Sequence, residues 1–284
     1  MDNHNLPACC VLKLFDHRFA DGLREGYSAE PYSNTIEREL LEHISNGTAQ
    51  TFVAALRQAD KARFSEEEDD DEEFPLAIWE LYLHELCLEM HQAETATYDK
   101  LGELQGVSIP RLFAEVSLSW VSDDDGLIHG NTARLPSVPG LLLQHIPGST
   151  LEEFHLTVPR PFWQPICDQA VQIARTCGHL GVLHNDVQLR NFIVASADPL
   201  SPVRCGDQLT GPKVFMLDFG RSILRRSDET DAQWGRRQWF ENEEGAVGSV
   251  LLMHLKRLTG FELKYEPSSE YEEWAEDVYP GMVW

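Results

Sequence analysis

The sequence predicts an α+β protein of two lobes. Three observations carry this. Short apolar runs of strand character recur at residues 8–15 (ACCVLKLF), 111–121 (RLFAEVSLSWV), 140–146 (GLLLQHI) and 213–220 (KVFMLDFG). Long segments at 76–103 and 162–180 place apolar residues three and four apart, the helical period. Pro147-Gly148 then breaks the chain where strand-like runs give way to helical ones. The expected division is an N-lobe at 1–146, rich in strands, and a helical C-lobe at 147–284.

Taken in order, the first strand is 8–15, with one lysine, Lys13, inside an apolar run. Residues 16–34 are polar and marked by Gly and Pro, and are expected to be loop. Residues 35–60 have helical spacing with a break at Asn46-Gly47. The acidic run at 65–73, with eight consecutive acids from Glu66 to Glu73, reads as a solvated insert. Pro75 suits the start of the long helix, on which Ile78, Leu81, Tyr82, Leu86, Met90, Ala93, Thr97 and Leu101 share a face. A strand follows at 111–121, and the continuous run 140–146 reads as a buried strand. In the second half, 162–180 is an amphipathic helix. The stretch GVLHNDVQLRNFIV is a loop between apolar flanks, 196–212 is a Pro/Gly/Ser loop, 213–220 is a buried strand, and 228–260 is helical.

Composition narrows the partners. The chain has 284 residues and a net charge of −24, and without the eight acids of the run the balance is still −16. Such a surface repels phosphate backbones and anionic lipid, so no nucleic acid and no membrane are expected as partners. No apolar run is long enough to span a bilayer, and the N-terminus lacks the pattern of a secretory signal. None of the six cysteines forms a CxxC pair, which suits reduced thiols in a cytoplasmic or nuclear protein. Cys177 and His179 are the nearest approach to a zinc pair, and a weak one.

The residues that carry chemistry are Asp186 and Asn191 in His184-Asn185-Asp186-Val-Gln-Leu-Arg-Asn191, followed by Asp218-Phe219-Gly220. Phosphoryl transfer from ATP needs a carboxylate to orient or deprotonate the attacking hydroxyl, oxygen ligands for magnesium, and a lysine on the phosphates. Asp186 can serve as the base. Asn191 and Asp218 offer the hard oxygens that magnesium prefers.

HNDVQLRN followed by MLDFG resembles the catalytic and metal loops of the protein kinase-like superfamily. The resemblance implies a two-lobed kinase-like fold, with ATP and magnesium as cofactors. It implies that Lys13 holds the phosphates, and that Glu94 in AETATYDKL is its ion-pair partner, although Glu85 or Glu89 could take that place. LLLQHIPG is similar to the last N-lobe strand and hinge, where the backbone at Gln144 and Ile146 would meet adenine. The landmarks run in family order from about residue 10 to 225. With LQGVSIPRLF after the helix and DFGRS at the metal loop, the chain is similar to kinase-like proteins common in filamentous fungi.

The chain departs from the family pattern in three places. The twelve residues before Lys13 contain no glycine, so the Gly-rich phosphate cover is missing: either the reading frame is cut short at its start or the N-lobe is incomplete. The loop reads HND, as in choline- and aminoglycoside-type kinases, and Gln188 replaces the usual lysine. Arg190 instead resembles the arginine of tyrosine-kinase loops and could stabilise the transferring phosphate. No APE-like motif follows Phe219-Gly220, and a short C-lobe is expected. The function expected is ATP/Mg-dependent phosphotransfer to a hydroxyl on a protein or small molecule. The alternatives are a pseudokinase binding module and a small-molecule kinase.

Overall fold

The computed structural model describes residues 7–48, 76–119, 137–195 and 211–274, together with 51, 54, 204–205 and 208–209. The acidic run lies outside the described residues. The chain starts with β1 (Cys10–Leu14), a 3₁₀ turn at His17–Phe19, α1 (Asp21–Gly26), α2 (Asn34–Ser45) and α3 (Leu76–Lys100). Then come β2 (Leu112–Leu118), β3 (Val138–Gln144), β4 (Gly148–Thr150) and α4 (Trp163–His179). The remainder comprises β5 (Val182–Leu183), β6 (Phe192–Ala195), β7 (Arg204–Cys205), β8 (Gln208–Leu209), β9 (Val214–Met216), β10 (Ile223–Leu224), α5 (Asp231–Glu241) and α6 (Glu243–Thr259). The class is α+β, with small sheets between helices.

Local chemistry sets the helix ends. Ser33 caps α2 by accepting from the Ile36 N–H at 3.3 Å. Thr230 and Gln233 form a reciprocal capping box at the start of α5. Asn242, in the left-handed region at φ 42°, ends α5, and its side chain caps α6 by accepting from the Gly245 N–H. The helical stretch expected at 228–260 is therefore two helices. Residues 16–34 hold a turn, α1 and the first residue of α2 rather than loop alone, because segments this short show no period in the sequence. The expected loop at 196–212 contains the antiparallel pair β7–β8. Helix outweighs strand in the first half among the described residues, although strands were expected to predominate there.

The chain forms two compact units. The smaller comprises Leu12–Gln92 and Ala114–Leu142. Its strands follow the order β1-β3-β2. Gly140 lets them approach closely: a Cβ there would lie 2.7 Å from the Lys13 carbonyl oxygen and 3.1 Å from Val116 Cγ2. Ile36, Leu40 and Ala77 form one apolar cluster between α2 and α3. Beside it sits a buried polar group. Arg24 donates to both carboxylate oxygens of Glu80, at 2.8 and 2.7 Å, and also to the carbonyls of His17 and Glu30. His17 packs edge-on against His84 and Tyr32. Burial, then the nearby His84, pushes the His17 pKa down to about 4.

The larger unit comprises Met1–Val11, Ala93–Phe113 and Leu143–Trp284. Two antiparallel sheets, β4-β6-β9 and β10-β5, frame its loops. Helices α4 and α6 pack together and are clamped by Arg175 donating to Glu244 at 3.1 and 2.5 Å. The Trp234 indole N–H donates to the Gly178 carbonyl, tying α5 to α4.

Candidate functional site

The chemistry-bearing loop of the larger unit runs from β5 to β6. Both flanking strands are buried, and their hydrogen bonds fix where the loop starts and ends: Leu183 pairs with Ile223, and Phe192 with Met216. Asn185 sits at φ 57°, in the left-handed region that asparagine tolerates better than most residues. This gives the Asn of HND a backbone reason. Its N–H donates to Glu243 Oε1 at 2.6 Å. His184, fully buried, hydrogen-bonds the Leu217 carbonyl through Nε2 at 2.7 Å.

Within the loop, Asn191 Nδ2 donates to the Asp186 carbonyl at 2.8 Å and reaches Asp186 Oδ2 at 3.4 Å. Gln188 Nε2 donates to Asp186 Oδ1 at 2.5 Å. The Asp186 carboxylate is thus held from both sides. Because the Asn191 amide nitrogen is turned inward, its Oδ1 is the atom left for a cation. The Leu217 N–H donates to the Asn191 carbonyl at 2.8 Å, so the chain leaving β9 is laced to this loop. Asp218 follows at φ 64°, exposed, and Phe219 plunges into the core. The Phe219 ring meets His184 at 5.1 Å and Tyr98 at 5.8 Å. The lacing ties the loop of Asp186 and Asn191 to the segment that leads into Asp218. Arg190 is exposed beside them.

Glu94 lies on α3 with 0% exposure, whereas Glu89 is exposed and Glu85 half-buried. Burial first, and then the charges of Glu94 and Asp218, raise the Tyr98 pKa, so both carboxylates lie near its hydroxyl. Gln144 is joined to Arg111 twice, its N–H donating to the Arg111 carbonyl at 2.8 Å and its Oε1 accepting from the Arg111 N–H at 3.2 Å. The Gln144 N–H is therefore already engaged within the chain. Ile146 has a buried side chain. Lys13 belongs to the smaller unit, half-buried on β1, with Nζ 5.0 Å from the Phe15 ring centre.

Among the described residues no group of three or more His, Cys, Asp or Glu side chains could hold a metal. Cys177 and His179, the nearest approach to a zinc pair in the sequence, have other surroundings here. Burial pushes the Cys177 thiol up to about 12, and His179 hydrogen-bonds Glu270 at 2.8 Å. No described helix is long and apolar enough to cross a membrane.

Sequence reasoning missed Glu243. It stands in the first turn of α6, 7% exposed, and accepts from the chemistry-bearing loop. Burial pushes its carboxyl up to about 7, against the opposing pull of the Asn185 and His184 N–H dipoles. The available signal was an acid pair, Glu243-Glu244, directly ahead of the small-residue run Gly-Ala-Val-Gly, which marks acids entering a close-packed helix.

No family model matches the chain. No curated protein matches it either. Among solved structures it is similar to the crystal structure of the Rad53 kinase domain and SCD2, over 65% of its length at 15% identity, with a TM-score of 0.36. It is also similar to the same domains in complex with AMPPNP, over 64% of its length at 15% identity, with a TM-score of 0.31. The chain spans 59% of each of those chains.

Proposed function

We propose that the chain has a protein kinase-like fold and is an ATP- and magnesium-dependent phosphotransferase acting on a hydroxyl acceptor. One observation carries the reading: Asp186, Asn191 and Asp218 stand on two loops hydrogen-bonded to each other, and the Asn191 amide nitrogen donates to Asp186, which leaves the amide oxygen as the atom that can ligate. One carboxylate and one amide oxygen are hard ligands of the kind magnesium accepts while it keeps its waters. The residues therefore fit that ion, Asn191 and Asp218 holding it. Bound there, magnesium would supply charge neutralisation on the transferring phosphate.

The chain's own groups do the rest. Asp186, steadied by Gln188 and Asn191, orients the acceptor hydroxyl and takes its proton at a carboxylate oxygen as the hydroxyl attacks. Arg190, exposed at the same loop, provides positive charge for the phosphoryl oxygens. Lys13 is the candidate for holding the phosphates of ATP, and the backbone at Gln144 and Ile146 for meeting adenine.

The test is transfer of labelled γ-phosphate by the full chain with magnesium, to water and to a panel of hydroxyl acceptors. The expected result is turnover that Asp186→Asn reduces by at least about a hundredfold, with ATP binding unchanged. Equal turnover in the variant would overturn the assignment. A binding module without catalysis is the second reading, favoured because both oxygens of Asp186 already accept hydrogen bonds from the chain. ATP binding without turnover by the parent chain selects it.

A further inference from the structure

In the smaller unit the segment that follows β1 runs along one face of α3 and is fastened to it in three places. The Phe15 ring meets His91 edge-on at 5.2 Å, the His17 ring meets His84 at 5.4 Å, and Arg24 donates to both oxygens of Glu80. Glu80, His84 and His91 recur at the helical period, so the three anchors share a face of α3. At the far end the Tyr27 ring packs on Trp79 and Tyr82. The segment has little order of its own. It holds a 3₁₀ turn of three residues and α1, six residues with two glycines, well below the length at which an isolated helix is stable. The anchors therefore hold it in place.

These anchors balance in charge only while the histidines are neutral. Asp16, His17, Arg24, Glu80 and His84 are each less than a tenth exposed. Arg24 pairs with Glu80, and Asp16 accepts from the Arg18 side chain at 2.8 and 2.6 Å, so two cations match two anions. Among the described residues, His17 Nδ1, His17 Nε2 and His84 Nδ1 have no hydrogen-bond partner. Glu80 Oε2 lies 3.7 Å from His17 Nε2 but is already engaged by Arg24. The other ionisable groups facing the pair are Tyr32 beside His17, whose hydroxyl donates to Glu37, and Glu85 beside His84. A proton on each imidazole would add two positive charges to a buried group whose carboxylates are both taken. Burial, the largest cause in each case, lowers the pKa of His84 as it does that of His17.

We propose that residues 16–24 are an acid-released strap: protonation of His17 and His84 frees them from α3 while the larger unit stays folded. The direction follows from linkage. A histidine in the open segment takes up its proton near pH 6.5, and the strapped His17 only near 4, so falling pH favours the open form across that window. Between pH 7.5 and pH 5, His17 alone makes opening about thirtyfold more favourable, and His84 adds in the same direction. Asp16 does not oppose this. Burial works to raise its pKa, but the Arg18 hydrogen bonds hold it below 3.8, so it stays ionised over this range. The strap leads directly from β1, so the switch acts at the end of the strand that carries Lys13. It does not depend on phosphotransfer.

The test is hydrogen–deuterium exchange of the full chain at pH 7.5 and pH 5, read by peptide and corrected for the intrinsic exchange rate. Peptides over 16–24 should exchange at least about thirtyfold faster at pH 5, while α4 keeps its protection. His17→Phe keeps an aromatic ring for His84 and Tyr32 and removes only nitrogens that lack a partner. It should reduce the pH effect on the strap at least about tenfold. His17→Gln, which also cannot take up a proton, gives the same readout if the Phe variant does not fold. Equal exchange over 16–24 at the two pH values overturns the proposal. Loss of protection in α4 together with the strap overturns it too, because that is unfolding of the whole chain. An unchanged pH effect in the variants overturns the role of His17 and with it the switch.

Discussion

Replacing Glu243 by Gln should change how stability depends on pH. The carboxyl is nine-tenths buried, and its pKa rises from 4.5 in the open chain to about 7 in the folded protein. Between those values the folded state holds a proton that the unfolded state has released. Stability from this group is therefore fully present below pH 4.5 and is lost as the pH rises to about 7. At about 1.4 kcal/mol per unit the loss amounts to about 3 kcal/mol. The groups facing this carboxyl are Glu241 on its own stretch of chain, Cys177 from α4, and the His184–Asn185 backbone. Gln keeps an oxygen for the Asn185 N–H and cannot ionise. Urea unfolding of parent and variant at pH 5 and pH 8 gives the answer. The variant should gain about 2.5 kcal/mol on the parent between the two pH values. The difference matters more than either curve, because His17 acts in the opposite sense. Its pKa is lowered to about 4, so its contribution is lost as the pH falls from 6.5 toward 4, and this cancels from the comparison. A parent-minus-variant difference that does not change with pH would refute the reasoning.

Two other outcomes are expected. Arg24→Met leaves Glu80 buried without its partner, and should cost about 3–5 kcal/mol in denaturant unfolding; a loss below about 1 kcal/mol would show that the pair is dispensable. Deleting residues 65–73 removes eight consecutive acids that repel one another, and should leave the thermal midpoint within a few degrees of the parent's, whereas a large drop would mean that the run docks on a basic surface.

The helices and the motif-bearing loop were legible because their signals are local. Apolar spacing marked α3 and α4, and β-rich flanks marked the loop between β5 and β6 and the strand before Asp218. Asn242 is the reverse case. It ends one helix and caps the next through a left-handed backbone, and nothing in the apolar period announces this. The polar stretch around Arg24 read as loop, because what orders it is a buried pair with Glu80, 56 residues away. Glu243 was missed for the same reason: its partner, Asn185, lies 58 residues earlier. Asp186, Asn191 and Asp218 could be picked out by type and spacing. The hydrogen bonds from Gln188, Asn191 and Leu217 that hold them became visible only in three dimensions.

The claim at the centre of this account is that Asp218 and Asn191 serve a nucleotide-bound magnesium ion. The measurement that bears on it most directly is calorimetric titration of the full chain with ATP, with and without magnesium, in the parent and in Asp218→Asn. The account predicts weak ATP binding that requires magnesium and is reduced at least about tenfold in the variant. ATP binding of equal strength without magnesium, or unchanged in Asp218→Asn, would contradict it.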